Sequence, residues 1–254
     1  MKLTISLVGV AIGAALLWTG AADPVVTHDP HGEWVRYENP AGDTVSAYIA
    51  FPERPDPAPA VLVIHEIFGM SDWVAAVADT LAMQGFVAIA PDFLSRHGGT
   101  AAAGENARRL NSELTPAQVT EDLDGAFAYL RALPSVLDDA IGVIGFCWGG
   151  GRSFDYATHN AQLRAAVVCY GPSASRERMP HIQASVLGVY AENDARINAG
   201  LPAADSAMRE YGKRFRYTIY PGTGHGFLRR GEPLDVTRRG WNDIFMFLRA
   251  ELTN

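Results

Sequence analysis

Predicted strands alternate with predicted helices along most of this 254-residue chain, and the alternation limits the folds available to it. Several strand candidates are continuous runs of valine, isoleucine, leucine and alanine, which is typical of strands buried on both faces. The predicted strands cover residues 60–64, 86–90, 141–146, 165–170, 185–190 and 214–220. Strands that alternate with helices form crossover units. The pattern therefore predicts an α/β fold, with a mostly parallel sheet flanked by helices on both faces.

The segments between these strands carry helix signals. Ser71 begins a helix that runs through Gln84, and Thr115 caps a helix that starts at Pro116 and runs to Leu133. Further helices are predicted from the turn after residue 146 to about residue 160, at 201–211 and at 236–252. Two extended segments, 33–37 and 44–51, flank a turn of Asn, Pro and Gly and predict a hairpin at the edge of the sheet. We predict a single domain over residues 23–254.

The first 22 residues differ from the rest of the chain. Lys2 is followed by an apolar stretch to about Trp18, and small residues then lead to Ala22. This pattern is typical of a secretory signal peptide. We therefore predict a signal peptide at 1–22 and an exported protein, periplasmic or secreted, with no membrane span once the signal is cleaved. An uncleaved anchor is the alternative, but the stretch is short for a span and contains polar residues.

Charge and composition exclude other classes of function. The formal net charge is −7 and the basic residues are scattered, which argues against a nucleic-acid partner. Arg230 and the pair Arg238-Arg239 are interpreted as solvated surface residues. The histidines show no metal-ligand spacing, and the glycines at 222 and 224 lack the wider dinucleotide pattern. We predict no metal and no cofactor, and the sequence does not indicate an oligomeric state.

The stretch from Ile141 to Gly151 is the clearest chemical signal. An apolar run breaks into Gly145-Phe146-Cys147-Trp148-Gly149, with two more glycines and a helix-compatible segment behind it. This strand, sharp turn and helix make up the nucleophile-elbow pattern, with cysteine where serine usually stands. The dipole of the following helix favours a thiolate over a thiol at Cys147.

Four candidate catalytic residues follow predicted strands directly. Glu66, Cys147, Asp194 and His225 all lie just past strand ends, and ligand sites of parallel sheets open at that edge. The order Cys147, Asp194, His225 is the nucleophile, acid, histidine order of the α/β-hydrolases. His225 is predicted to act on the thiol as base and later as acid, while Asp194 orients its ring. Glu192 is the alternative acid.

The chain has two cysteines, Cys147 and Cys169. An exported protein can form disulfides, so a pairing between them is one possibility. Cys169 lies in an apolar run that reads as a core strand, where a cysteine behaves as a small hydrophobic residue. We predict that both thiols are free.

Three motifs in combination resemble the dienelactone hydrolase (carboxymethylenebutenolidase) family. They are His65-Glu66-Ile67-Phe68-Gly69, Gly145-Phe146-Cys147-Trp148-Gly149-Gly150 and Gly222-Thr223-Gly224-His225-Gly226-Phe227. The similarity extends from about residue 33 to the C-terminus. Each motif alone is weak, but the three together are specific. The resemblance implies the α/β-hydrolase fold and a Cys147–His225–Asp194 triad.

The resemblance also implies roles for residues around the triad. Glu66 is expected to bond to the resting thiol and to help deprotonate it when substrate arrives. The backbone N–H groups of Ile67 and Trp148 match the oxyanion hole of the family. Arg96 and Arg229 match two arginines that bind a substrate carboxylate. Gly226 stands where well-known members carry serine, and Trp148 is bulky for its position.

These observations predict a cofactor-free hydrolase that cleaves a small ester or lactone through a cysteinyl acyl-enzyme. One alternative is a carboxylesterase of broad specificity that uses the same triad. Another, from a different class, is a non-catalytic ligand-binding or thiol-redox protein that kept the fold.

Overall fold

A computed structural model describes residues 31–253 of the chain, and these residues are built around an eight-stranded sheet. The strands are β1 (Glu33–Glu38), β2 (Thr44–Ala50), β3 (Ala58–Ile64), β4 (Val87–Pro91), β5 (Val136–Phe146), β6 (Ala165–Cys169), β7 (Ser185–Asn193) and β8 (Phe215–Gly224). Their order across the sheet is β1-β2-β4-β3-β5-β6-β7-β8. The pairs β1–β2 and β2–β4 are antiparallel and the other pairs are parallel. The predicted α/β class and the edge hairpin are confirmed.

Helices cover both faces of the sheet. They are α1 (Asp72–Met83), α2 (Thr100–Ala103), α3 (Ala107–Glu113), α4 (Pro116–Ala132), α5 (Trp148–His159), α6 (Ala195–Asn198), α7 (Leu201–Glu210), α8 (Phe227–Arg230) and α9 (Leu234–Leu252), with 3₁₀ turns at Ser95–His97, Gly104–Asn106 and Arg176–His181. Helices α1 and α9 pack on one face, and α4, α5 and α7 pack on the other. The fully buried β3, in which every residue is apolar, lies between the two layers and explains why its sequence shows no alternation.

The predicted cap of α4 is present, whereas Ser71 stands at the N-cap of α1 without a side-chain capping hydrogen bond. The Thr115 hydroxyl accepts a hydrogen bond from the Gln118 N–H, and the Gln118 side chain accepts one from the Thr115 N–H, so α4 begins with a complete capping box. Pro116 occupies the first helical position, where a missing N–H costs nothing.

The last strand is longer than its sequence predicts. Residues 221–224 read as a glycine-rich loop, but β8 continues through them to Gly224, which pairs with Asn193 across a register shift. Strand β8 is the edge of the sheet, where a proline can be accommodated, and Gly222 at φ 71° allows the bulge. Because of this extension the strand delivers His225 directly from its end.

None of the helices described within residues 31–253 has the length and apolarity needed to cross a membrane. The predicted signal peptide lies outside the described residues. The predicted export of the protein therefore stays a prediction.

Candidate active site

Cys147 sits in a strained turn between β5 and α5. Its backbone has φ 56° and ψ −112°, a region that non-glycine residues rarely adopt and that costs on the order of 1–3 kcal/mol. A Cβ atom on Gly145 would lie 1.9 Å from the Gly149 carbonyl oxygen, and one on Gly149 would lie 2.4 Å from that of His65. Only glycine fits at either position, as the elbow pattern predicts. The turn points the thiol away from the sheet at the N-terminus of a 12-residue helix.

The structure brings Cys147, His225 and Asp194 together in series. The Cys147 sulfur lies 3.0 Å from His225 Nε2, and His225 Nδ1 lies 2.5 Å from Asp194 Oδ2. Asp194 is 8% exposed, whereas the His225 ring is about one-third exposed and so faces the solvent side of the site. These two contacts have the geometry of a nucleophile, a base and an orienting carboxylate.

The protonation of His225 is set by these neighbours. The hydrogen bond to the Cys147 sulfur, followed by that to Asp194, raises the pKa of His225 to about 9, although partial burial acts in the opposite direction. Near neutral pH the ring is therefore an imidazolium that donates from Nε2 toward the sulfur and from Nδ1 toward Asp194. Tyr170 packs edge-on against this ring with centroids 5.2 Å apart, and it follows the end of β6.

The other acid and the other cysteine are engaged elsewhere. Glu192 accepts a hydrogen bond from the Gly222 N–H at 2.9 Å, where it holds the bulge of β8. Cys169 is free and fully buried, and burial raises the pKa of its thiol. Cys147 is also free, which confirms the prediction for both thiols. The two residues meet only through the backbone, where the Cys147 N–H donates to the Cys169 carbonyl oxygen at 3.0 Å.

A buried histidine shapes the loop that follows β3. His65 Nδ1 lies 2.7 Å from the Glu66 carbonyl oxygen, and the Phe93 N–H points to His65 Nε2 at 3.4 Å. Burial lowers the pKa of His65, so the ring is neutral, with its proton on Nδ1 and an acceptor at Nε2. The ring is thus fixed at both nitrogens, and it fixes the peptide that precedes Ile67.

Two residues from the helical segment after β4 hold the same loop from the other side. The buried side chain of Asn111 on α3 donates to the Ile67 carbonyl oxygen at 3.1 Å. The Thr100 hydroxyl accepts a hydrogen bond from the Met70 N–H at 2.9 Å and donates to Asp92 at 2.7 Å. Among the described residues the Ile67 N–H has no hydrogen-bond acceptor. It is thus a donor held in a fixed loop.

Trp148 begins α5, and the first N–H groups of a helix have no intrahelical partner. Its ring stacks on His65 with centroids 5.7 Å apart and packs edge-on against Phe93 at 5.8 Å. The bulky side chain therefore turns into the protein and leaves its backbone N–H beside the nucleophile.

Glu66 and Arg229 contact each other. Arg229 Nη1 donates to Glu66 Oε2 at 2.7 Å, and the guanidinium lies 5.6 Å from the ring centroid of Phe68. The resemblance predicts that Glu66 bonds to the thiol and that Arg229 binds a substrate carboxylate, whereas in this structure the two side chains pair and the thiol faces His225.

Arg96 is held away from this group. Its guanidinium donates to Asp122 on α4 at 2.8 Å and lies 3.8 Å from Asp43. The structure therefore does not place Arg96 with the other candidates. Each of the two predicted carboxylate-binding arginines is already paired with a carboxylate of the protein itself.

A cavity of about 540 Å³ opens beside Cys147 and His225. It is lined by Glu66, Ile67, Phe68, Arg108, Cys147, Arg196, His225, Gly226, Arg229 and Arg230. In residues 31–253 no group of three or more His, Cys, Asp and Glu side chains is arranged to hold a metal ion.

Several residues of the site are not among those predicted from the sequence. Tyr170 follows a predicted strand at the same edge as the triad, so the strand-end rule could have found it. Arg108, Asn111 and Arg196 carry no local signal because loops and short helices bring them in. Arg230 reads as a solvated surface residue in the sequence, but it lines the cavity.

Comparison with known proteins identifies relatives of the whole described fold. The model of the "Dienelactone hydrolase family" matches residues 45–252. A "Putative carboxymethylenebutenolidase" of Methylorubrum extorquens is 32% identical over 218 residues, which are 79% of this chain and 75% of that protein.

Solved structures agree with this result. The "Putative Dienelactone Hydrolase" of Klebsiella pneumoniae subsp. pneumoniae superposes with a TM-score of 0.76 at 27% identity, covering 85% of this chain and 98% of that one. The dienelactone hydrolase of Anabaena variabilis, at 20% identity, shares the fold, with a TM-score of 0.71 over 89% of this chain and all of its own. On the extent of the family match and of the sequence identity, the chain belongs to the dienelactone hydrolase family.

Proposed function

We propose that this hydrolase cleaves a small ester or lactone through a covalent cysteinyl intermediate, with Cys147, His225 and Asp194 as the triad. The observation that carries the proposal is the pair of contacts from sulfur to imidazole and from imidazole to carboxylate, at 3.0 and 2.5 Å. Their position on an elbow at the carboxyl edge of the sheet supports it.

The proposed reaction begins with attack of Cys147, as a thiolate paired with imidazolium His225, on the ester carbonyl carbon, which forms a C–S bond and turns the carbonyl oxygen into an oxyanion. The N–H groups of Ile67 and Trp148 donate to that oxyanion, and one such donor is typically worth about 3–4 kcal/mol of transition-state stabilisation. The oxyanion collapses, the C–O bond of the ester breaks, and imidazolium His225 gives its proton to the departing alkoxide.

The second half of the reaction releases the acid. Neutral His225 now takes a proton from water, and the resulting hydroxide attacks the thioester carbonyl. The C–S bond breaks, the carboxylic acid leaves, and the sulfur again faces the imidazolium. A lactone passes through the same steps, but its alkoxide stays attached to the acyl group, so the ring opens to a hydroxy acid.

Glu66 and Arg229 are assigned to substrate engagement. A substrate carboxylate can compete with Glu66 for the Arg229 guanidinium, since a bidentate carboxylate pairs well with that group. Glu66 would then be released beside the nucleophile, where its carboxylate can take the proton of any Cys147 that is still a thiol and so leave the thiolate. Arg96 is left out of the proposed substrate contacts because it is paired with Asp122.

The test replaces Cys147 with alanine and measures hydrolysis of short nitrophenyl esters and enol lactones. We expect a loss of at least ~10³-fold in kcat, as for removal of a nucleophile that acts within a triad. Rapid-quench mass spectrometry of the wild type should detect an acyl group on Cys147. Cys169→Ala is the matched control and should retain activity because its thiol is buried away from the cavity.

The same experiment separates the alternatives. Unchanged turnover in Cys147→Ala would rule out the proposed mechanism. In a non-catalytic or thiol-redox protein, a thiol reagent would alkylate Cys147, but no hydrolysis would be measured before or after the alkylation. A carboxylesterase of broad specificity would hydrolyse the whole ester panel with similar kcat/KM values.

A further inference from the structure

The cavity beside Cys147 concentrates positive charge in an acidic protein. Four of its lining residues are arginines, at positions 108, 196, 229 and 230, while the chain as a whole has a formal charge of −7. Glu66 is the single carboxylate among the described residues that line it, and Glu66 neutralises only Arg229. The cavity therefore has three guanidinium groups in excess.

These three guanidinium groups come from separate elements and have no partners. Arg108 lies on α3, Arg196 on α6 and Arg230 at the end of α8. Within residues 31–253 none of them forms an ion pair or donates a side-chain hydrogen bond. By contrast Arg109, the residue after Arg108 on α3, pairs with Glu113. All three side chains are exposed, so solvent weakens their mutual repulsion, and an anion that enters the cavity lowers that repulsion further.

Arg230 lies directly beside the catalytic histidine. Its Nη2 is 3.7 Å from the position a Cβ would take on Gly224 and 3.8 Å from the one on Gly226, the two neighbours of His225. Both distances are ordinary van der Waals contacts, so the guanidinium packs against the backbone on either side of His225. A group held by Arg230 would thus be next to the reacting ester.

We infer that the site takes esters or lactones that carry at least two carboxylate groups besides the bond that is cleaved. One carboxylate engages Arg229, and the second engages Arg230, with Arg196 and Arg108 at the outer part of the cavity. This inference rests on the proposed function for the reaction itself, but the charge of the ligand follows from the cavity alone.

The test compares three aryl esters that differ in acyl charge: 4-nitrophenyl butyrate, mono(4-nitrophenyl) glutarate and the mono(4-nitrophenyl) ester of tricarballylate. They carry zero, one and two free carboxylates. We expect kcat/KM to rise along the series, mainly through a lower KM. A flat or falling series would overturn the inference.

Variants assign the effect to the cavity. Arg196→Gln and Arg230→Gln should each lower kcat/KM for the two-carboxylate ester relative to the neutral ester by about two- to fivefold, the range that corresponds to one solvent-exposed ion pair. Arg36→Gln makes the same charge change on the exposed edge strand β1 and should leave the ratio unchanged. An equal effect of Arg36→Gln would mean that overall charge, not the cavity, is responsible.

A binding titration keeps this result separate from the proposed function. Calorimetry of the wild-type protein with glutarate and with butyrate needs no turnover, and we expect at least ~10-fold tighter binding of glutarate, lost in the Arg196→Gln/Arg230→Gln double variant. Equal affinities would contradict the inference even if the esters are hydrolysed. If no ester is hydrolysed but glutarate binds tightly, the mechanism fails and the anion site stands.

Discussion

At the scale of single residues, the proton on His225 connects the geometry to a pH dependence. The contacts to Cys147 and Asp194 raise the pKa of His225 to about 9. The imidazolium, which we propose protonates the leaving group, is therefore present at neutral pH and lost above about pH 9. We expect kcat/KM for an alkyl ester, whose leaving group needs that proton, to fall on the alkaline side near pH 9.

Asp194→Asn should move that alkaline limb to lower pH. The substitution removes a hydrogen-bonded carboxylate that raises the pKa of His225, so the ring should lose its proton earlier as pH rises. The pH profile of kcat/KM and an NMR titration of the His225 ring both measure the shift. Asp205→Asn on α7 makes the same charge change in an exposed pair with Arg209 and serves as control. A limb that stays in place or moves upward would contradict the assignment.

The contacts among Cys147, His225 and Asp194 could be predicted at this scale because the signals are local. Each member follows a strand directly, and the glycines around Cys147 are explained by close backbone approach. Arg96 shows the limit of the same reasoning. Its position matches a motif, but the guanidinium is directed by Asp122, which lies 26 residues further along the chain on α4. Such long-range pairs have no local signal.

At the scale of elements, α3 supports the loop that carries Ile67, the proposed oxyanion donor. Asn111 donates to the Ile67 carbonyl oxygen, and its own side-chain oxygen is buried without a hydrogen-bond partner. Leucine has a similar volume and removes the unpartnered oxygen, which offsets the loss of the donor to the Ile67 carbonyl, so Asn111→Leu should change the free energy of unfolding by no more than about 1 kcal/mol. The freed loop should lower kcat by about tenfold with a smaller effect on KM.

Two measurements distinguish this positioning role from a structural one. Urea unfolding reports the stability of Asn111→Leu, and steady-state kinetics on a neutral ester reports kcat. Ser112→Ala on the same helix is the control, because the Ser112 hydroxyl is exposed and bonds only within α3. If kcat falls only in proportion to lost folded protein, α3 does not position the loop.

The start of α4 allows a test of stability without a change in catalysis. Thr115→Ala removes the hydroxyl that accepts the Gln118 N–H, and loss of an N-cap of this kind costs about 1 kcal/mol. The urea midpoint should decrease while kcat and KM for the folded enzyme stay the same. A change in KM would show that this end of α4 communicates with the cavity.

Element boundaries were predictable where the signal lies within one segment. The cap of α4 is an example, since Thr115 and Pro116 are adjacent. The end of β8 was missed because residues 221–224 look like a turn by composition. Residues 221–224 are strand because Gly224 pairs with Asn193 and Gly222 donates a hydrogen bond to Glu192. Both partners belong to β7, which is distant in sequence.

At the scale of the whole molecule, two electrostatic effects on an anionic substrate oppose each other. The formal charge of −7 repels it, whereas the arginines around the cavity attract it. The net charge was evident from composition. The cavity was not, because its arginines belong to α3, α6 and α8 and meet only when the crossover connections place those helices at one edge of the sheet.

The dependence of kcat/KM on salt concentration shows which of the two effects governs catalysis. The Debye length falls from roughly 20 Å near 20 mM salt to below 10 Å near 200 mM, so added salt screens both fields. If the cavity dominates, kcat/KM for the two-carboxylate nitrophenyl ester should fall by about threefold over this range, while that of the neutral butyrate ester stays constant. If net charge dominates, kcat/KM for the charged ester should rise instead. Arg196→Gln should weaken the decrease and Arg36→Gln should not, which ties the sign of the effect to the cavity.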